Sequence, residues 1–205
     1  VALPMPSPFL APPPHVSGQE PHSRLFGRSA LLLALCAVLF LLVLNVFYRQ
    51  FYTGDEGFYG VMALNMLRSA TYWLRPSYYP EGNFLLDHNA FAHPPFNSYF
   101  YAVALWLAHG SLASLEVVNA LAFGALLFFS YRLLALFEAR AGAFAVLLLA
   151  ASPAILGLYS QLEAEPLLVS FGILGLYCAL RAGWERGARR FFFLAGLCLG
   201  MAFAL

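Results

Sequence analysis

A chain of 205 residues in which 61% are hydrophobic and only 10% are charged cannot fold as an ordinary water-soluble domain, whose apolar share is nearer half. Its net charge of +1, with eleven arginines and no lysine, argues against a polyanionic partner, so no nucleic acid is expected. Cys36, Cys178 and Cys198 all sit in apolar runs and read as small buried hydrophobes, and no CxxC, HExxH, GxSxG or P-loop pattern occurs.

The first 23 residues hold more than half of the thirteen prolines, together with Ser, Gly and Gln. Such a segment buries too little apolar surface to fold, so 1–23 is expected to be a disordered tail. Arg24 and Arg28 then precede an uncharged run, Ser29–Tyr48, long enough to cross a bilayer core of about 30 Å as a helix. The run is too long for a signal peptide, and no small-residue cleavage site follows it.

Four further apolar stretches follow: Pro94–His109, Leu112–Phe137, Ala141–Leu162 and Pro166–Leu180. Another starts at Phe191 and is cut by the end of the chain, which marks the sequence as the expected N-terminal portion of a longer protein. Pro94–His109 is the short one, opened by Pro94-Pro95 and stopped by His109-Gly110-Ser111. Charge parity decides its role. If it spans, Arg140 falls outside and the acidic Glu163-Ala164-Glu165 loop inside. If it is a re-entrant or surface helix, eight of eleven arginines fall in the cytoplasm and seven of ten acids outside.

The expected fold is therefore all-α and polytopic. Five spans are expected near 29–49, 113–136, 142–160, 166–181 and 191–205, with a cytoplasmic N-terminus and a long first outer loop over 50–112. Residues 24–205 form one membrane module. Pro153 predicts a kink in the third span, tolerable where neighbours satisfy the freed carbonyl. Within the outer loop, Glu56–Arg68 carries Tyr59, Ala63 and Met66 at helical spacing, and Thr53 or Asp55 stands where a cap is needed. The abundance of Ala, Leu, Pro and Arg is the bias of a high-GC bacterial genome, so the expected setting is a bacterial inner membrane and its cell envelope.

The chemistry-bearing residues cluster on that outer side. Asp55-Glu56 reads either as the acidic cap of a surface helix or as a general base or metal ligand whose pKa partial burial would raise. Asp87, His88 and His93, beside the stiff Pro94-Pro95, read as a metal site or as hydrogen-bonding groups for a phosphate. Glu163 and Glu165 form a third acidic group, whose bland reading is solvation of a helix end. Paired carboxylates facing one cleft are what glycosyl chemistry uses to activate an acceptor or hold a metal.

Asp55-Glu56-Gly57-Phe58-Tyr59, with Ala63 and Met66-Leu67, resembles the DExxYxxxAxxML-type signature of the aminoarabinose transferases that modify lipid A. His93-Pro94-Pro95-Phe96 is similar to the HPPL motif of protein O-mannosyltransferases and the KPPL of the arabinose enzymes. Tyr159, followed at Glu165-Pro166-Leu167 by an acid opening an apolar span, is similar to their second acidic motif, and Gly196–Leu205 to the span after it. The resemblance runs from about Leu31 to the last residue. It implies a polyprenyl-phosphate-sugar-dependent glycosyltransferase of the C superfold. By that resemblance Asp55 is the catalytic base or a substrate-orienting carboxylate, Glu56 supports it, and Glu165 is the second catalytic acid, with Glu163 competing for the place. Tyr59 lines the cleft, and Asp87, His88 and His93 face the substrate, His93 near the donor phosphate. Some family members hold a divalent metal here, which makes Asp55, His93 and Glu165 the candidate ligands. Two departures stand out: Ala92 replaces the acid before the KPP, with Asp87 placed to compensate, and the second acid is Glu rather than Asp. The implied partners are a polyprenyl-phosphate-linked sugar, a lipid, glycan or protein acceptor, and the bilayer. The rival classes are a secondary transporter, which needs polar residues at mid-membrane where Asn45 and Asn119 are nearly the sole candidates, and a non-catalytic polytopic membrane protein.

Overall fold

The computed structural model describes residues 21–48, 55–69, 96–161, 164–184 and 189–204, and among these every regular element is a helix. The order is α1 (Pro21–Tyr48), α2 (Asp55–Ser69), α3 (Phe96–Leu107), α4 (Ala113–Leu134), α5 (Ala139–Ala151), α6 (Pro153–Tyr159), α7 (Glu165–Trp184) and α8 (Arg189–Ala204). α1 thus starts at Pro21, inside the segment expected as a tail; residues 1–20 lie outside the described residues.

Three helices are long and apolar enough to cross a membrane, within Arg28–Phe47, Ala113–Leu134 and Glu165–Trp184. A fourth crossing is available if α5 and α6, bent by 69° at their junction, are taken together. The bend sits where Pro153 predicts one. The residue before a proline is driven out of the helical region, and Ser152 is extended, at φ −79° and ψ 115°. Its hydroxyl accepts from the Ile155 amide, so α6 begins with a cap of its own. α8 covers sixteen residues, about 24 Å of helix, up to Ala204.

α4 is the hub, because its buried positions form one broad continuous stripe along the helix. Glu116, Asn119, Phe123, Leu126, Ser130 and Leu133 recur every three or four residues, the spacing that keeps one side of a helix against its neighbours. α1, α3, α5 and α7 all pack on it. Leu41 of α1, Phe123 and Leu127 of α4, Tyr159 of α6 and Leu167 of α7 form the central core. Where α5 crosses the end of α4, Gly142 is required: a Cβ there would lie 2.7 Å from the Tyr131 carbonyl oxygen. α8 rests on α7, with Gly175 against Leu199 and with Cys178 and Ala195 in one cluster.

The pairings along α4 and α7 rise together, from Asn119 with Gln161, through Ala122 with Ser170 and Arg132 with Tyr177, to Phe137 with Trp184. These helices run the same way, and α5–α6 returns between them. Charge separates accordingly. Arg132 bonds Tyr177 at 3.3 Å, and Arg181 and Arg190 lie over the Phe191 ring at 5.5 and 5.1 Å, all at the end opposite Glu116 and Glu165.

α3 has twelve residues, about 18 Å, too short to cross a bilayer. It stands beside α4 as the short leg of an antiparallel pair: Tyr101 reaches Asn119, Leu105 and Leu115 share a cluster, and Phe100 meets Phe171 of α7 with ring centroids 5.6 Å apart. Its C-terminus closes as a Schellman turn. The Gly110 amide donates to the Leu105 carbonyl at 2.7 Å and the His109 amide to the Trp106 carbonyl at 3.3 Å, with His109 itself left-handed at φ 52°.

Candidate active site

One end of the bundle gathers the elements that carry the sequence motifs. Tyr59 and Ala63 of α2, Tyr101 and Leu105 of α3, Leu115 of α4 and Ala164 before α7 form a single buried cluster. Asp55 opens α2, one turn before Tyr59, and Glu165 directly follows Ala164. Elements more than a hundred residues apart in sequence therefore meet, with α2, α4 and α7 each contributing from near its start. Helix starts favour nearby carboxylates, since backbone amides there lack intrahelical acceptors.

Glu165 is exposed, and Pro166 behind it is buried at the first turn of α7, a position that a proline fits because no hydrogen bond is lost there. The Leu168 amide donates to the Ala164 carbonyl at 2.9 Å, which starts the helical ladder at Ala164. Tyr59, expected to line the cleft, is 4% exposed and packs into the cluster. For Asp55 and Glu56 the structure describes their place in the α2 backbone. Asp87, His88, His93 and Glu163 lie outside the described residues. Among the described residues no three His, Cys, Asp or Glu side chains gather as a metal site, and of the candidate ligands Asp55, His93 and Glu165 only the last has a described side chain.

Beside the cluster lies a set of buried polar side chains that the motif reading did not single out. Asn97, Ser98 and Asn119 are completely buried, and Glu116 is 1% exposed. Asn97 Oδ1 accepts from the Ser98 amide at 2.7 Å, while its Nδ2 finds no acceptor among the described residues. Asn119 Oδ1 accepts from the Tyr101 hydroxyl at 3.0 Å, and Asn119 Nδ2 donates to the Gln161 carbonyl. The sequence held one signal for these. Glu116 and Asn119 stand three apart in an otherwise apolar span, and so share a face; polar groups in a span point inward.

An open groove of about 550 Å³ lies between the C-terminal ends of α2 and α3, lined by Leu64, Leu67, Arg68, Leu105, Trp106 and His109 among others. Of the motif residues, Leu67 of α2 borders it, whereas Tyr59 and Glu165 do not.

A family model described as dolichyl-phosphate-mannose-protein mannosyltransferase matches residues 92–205. The matched stretch opens one residue before His93 and takes in Glu163 and Glu165, while Asp55 and Glu56 precede it. No curated protein and no solved structure gives a significant match. Since that stretch is more than half of the 205 residues, the chain belongs to the dolichyl-phosphate-mannose-protein mannosyltransferase family, membrane glycosyltransferases of the C superfold supplied by a polyprenyl-phosphate-linked sugar.

Proposed function

We propose that the protein transfers a sugar from polyprenyl phosphate to an acceptor on the outer face of a bacterial inner membrane, with Asp55 as the base and Glu165 as the second carboxylate. The observation that carries the reading is the shared cluster of Tyr59 and Ala164, which draws the start of α2 and the start of α7 to one end of the bundle. The arginines Arg132, Arg181 and Arg190 occupy the other end, as a cytoplasmic face would require.

In the reaction an acceptor hydroxyl attacks the anomeric carbon of the donor and gives its proton to Asp55. The new carbon–oxygen bond forms as the bond from that carbon to the phosphate oxygen breaks, and polyprenyl phosphate departs with inversion. Glu165 orients the acceptor from the α7 side, and His93 faces the departing phosphate. Holding both reactants at the membrane surface converts an encounter in two dimensions into a fixed attack geometry. α8 serves as the fifth span in this arrangement.

The test is replacement of Asp55 by Asn in the full-length protein. Label transfer from tritiated polyprenyl-phosphate mannose should be lost while the protein still inserts in the membrane. Normal turnover in that variant would overturn the assignment.

A further inference from the structure

We propose that Asn119 is a positioning residue of the transfer reaction: from α4 it holds the Gln161 carbonyl at the α6–α7 turn, and with it the approach to Glu165. The inference rests on the reading just given and adds a residue to it that no motif contains.

The carboxamide is completely buried and ties three elements. Its orientation admits one solution. The Gln161 carbonyl can only accept, so Nδ2 must face it; Oδ1 then faces Tyr101, whose hydroxyl must donate. Each end of the amide therefore has a different job. Oδ1 anchors to α3, and Nδ2 holds the backbone of the turn four residues before Glu165. The turn is pinned again on its other side, where Tyr159 bonds Ser170 at 2.8 Å and the Ser170 hydroxyl contacts the Ala122 carbonyl of α4 at 2.8 Å. Asn119 and Ala122 are thus two points on α4 that hold the same turn, one at Gln161 and one through Ser170.

A transporter's mid-membrane asparagine would present a polar group to a pathway. Asn119 instead uses both ends of its amide on protein groups, one of them a backbone carbonyl that sets where a candidate catalytic acid begins its helix. Displacement of that turn by about 1 Å is enough to cost two orders of magnitude in rate when a reacting group moves with it.

The test uses the full-length protein in membranes, with tritiated polyprenyl-phosphate mannose as donor. Asn119→Asp keeps an acceptor for Tyr101 but cannot donate to Gln161. Asn119→Gln keeps both groups on a stem one methylene longer, which moves the turn without removing the bond chemistry. Both should lower kcat per folded molecule about 10- to 100-fold with the donor KM within about threefold. Tyr101→Phe, which leaves the Gln161 bond in place, should stay within about threefold of the parent. If Asn119→Asp does not reach the membrane, Asn119→Gln decides alone. Parental kcat in Asn119→Gln, or activity that falls only in step with the amount of folded protein, overturns the proposal. Asp55→Asn is run alongside. Its normal turnover would sink the proposed reaction itself, whereas an inactive Asp55→Asn with a parental Asn119→Gln removes only the positioning role.

Discussion

Tyr159 and Ser170 share a hydrogen bond of 2.8 Å between α6 and α7, and the serine hydroxyl also lies 2.7 Å from the Pro166 carbonyl and 2.8 Å from the Ala122 carbonyl. A hydroxyl has one hydrogen, and both carbonyls can only accept. Ser170 therefore donates towards the backbone, and Tyr159 must be the donor in the bond between the two side chains. Tyr159 also packs on Phe123, with ring centroids 5.2 Å apart and the planes tilted by 46°.

That direction makes the two deletions unequal. Tyr159→Phe removes a donor and leaves Ser170 still bonded, so it should cost about 0.5–1 kcal/mol. Ser170→Ala strands a completely buried phenol, so it should cost about 1–3 kcal/mol. The double variant should lose less than the sum. Equilibrium unfolding in detergent measures all three, and equal single losses would contradict the assigned direction.

Gly142 and Gly196 should respond in opposite ways to alanine. At Gly142 the added carbon meets a backbone carbonyl at 2.7 Å, which cannot rotate aside, so Gly142→Ala should destabilise by about 1–3 kcal/mol. At Gly196 nothing lies within 4 Å, and Gly196→Ala should be neutral or stabilising by up to about 1 kcal/mol. The same unfolding measurement reads both.

The α3–α4 turn holds histidine where helices commonly place glycine. His109 sits at φ 52°, a region that side chains enter at a cost, so His109→Gly should stabilise by about 0.5–1 kcal/mol. His109→Val should lose more than that, since a β-branched residue is least suited to a positive φ. A stabilising valine would show that the turn is not left-handed.

Orientation is tested by labelling. In a background with Cys36, Cys178 and Cys198 replaced, His109→Cys should react with a membrane-impermeant maleimide added outside intact cells. Glu138→Cys, exposed in the turn between α4 and α5 at the arginine end, should react only after lysis. The reverse pattern would invert the proposed topology and place the acidic end in the cytoplasm.

Much of this architecture was legible because it rests on local rules. Apolar length marks α1, α4 and α7, Pro153 marks the bend, and Pro94-Pro95 with His109-Gly110 bracket a segment too short to span. The expected helix over Glu56–Arg68 matches α2, and Tyr59, Met62 and Ala63 prove to be its buried stripe. What stayed hidden depends on neighbours. Glu116 shares a face with Asn119 in sequence, but its burial to 1% exposed comes from the helices packed around the start of α4. Likewise Asn97, Ser98 and Asn119 acquire their burial only once α3 folds back along α4, a pairing that no periodicity within either helix announces.

The buried polar face of α4 bears on how the chain enters the bilayer. Of the three single-helix spans, α1 is the most apolar and the least covered by protein, while α4 is the most covered and carries Glu116 and Asn119. An isolated α4 would bring an acid and a carboxamide into lipid, each unfavourable on its own, whereas α1 meets lipid with almost no polar side chain. Biogenesis should therefore proceed from an autonomous anchor to dependent helices, with α3 and α4 entering as one hairpin joined by the His109 turn. The residues that shape the outer end of the finished protein are then also those that make its second span rely on company during synthesis.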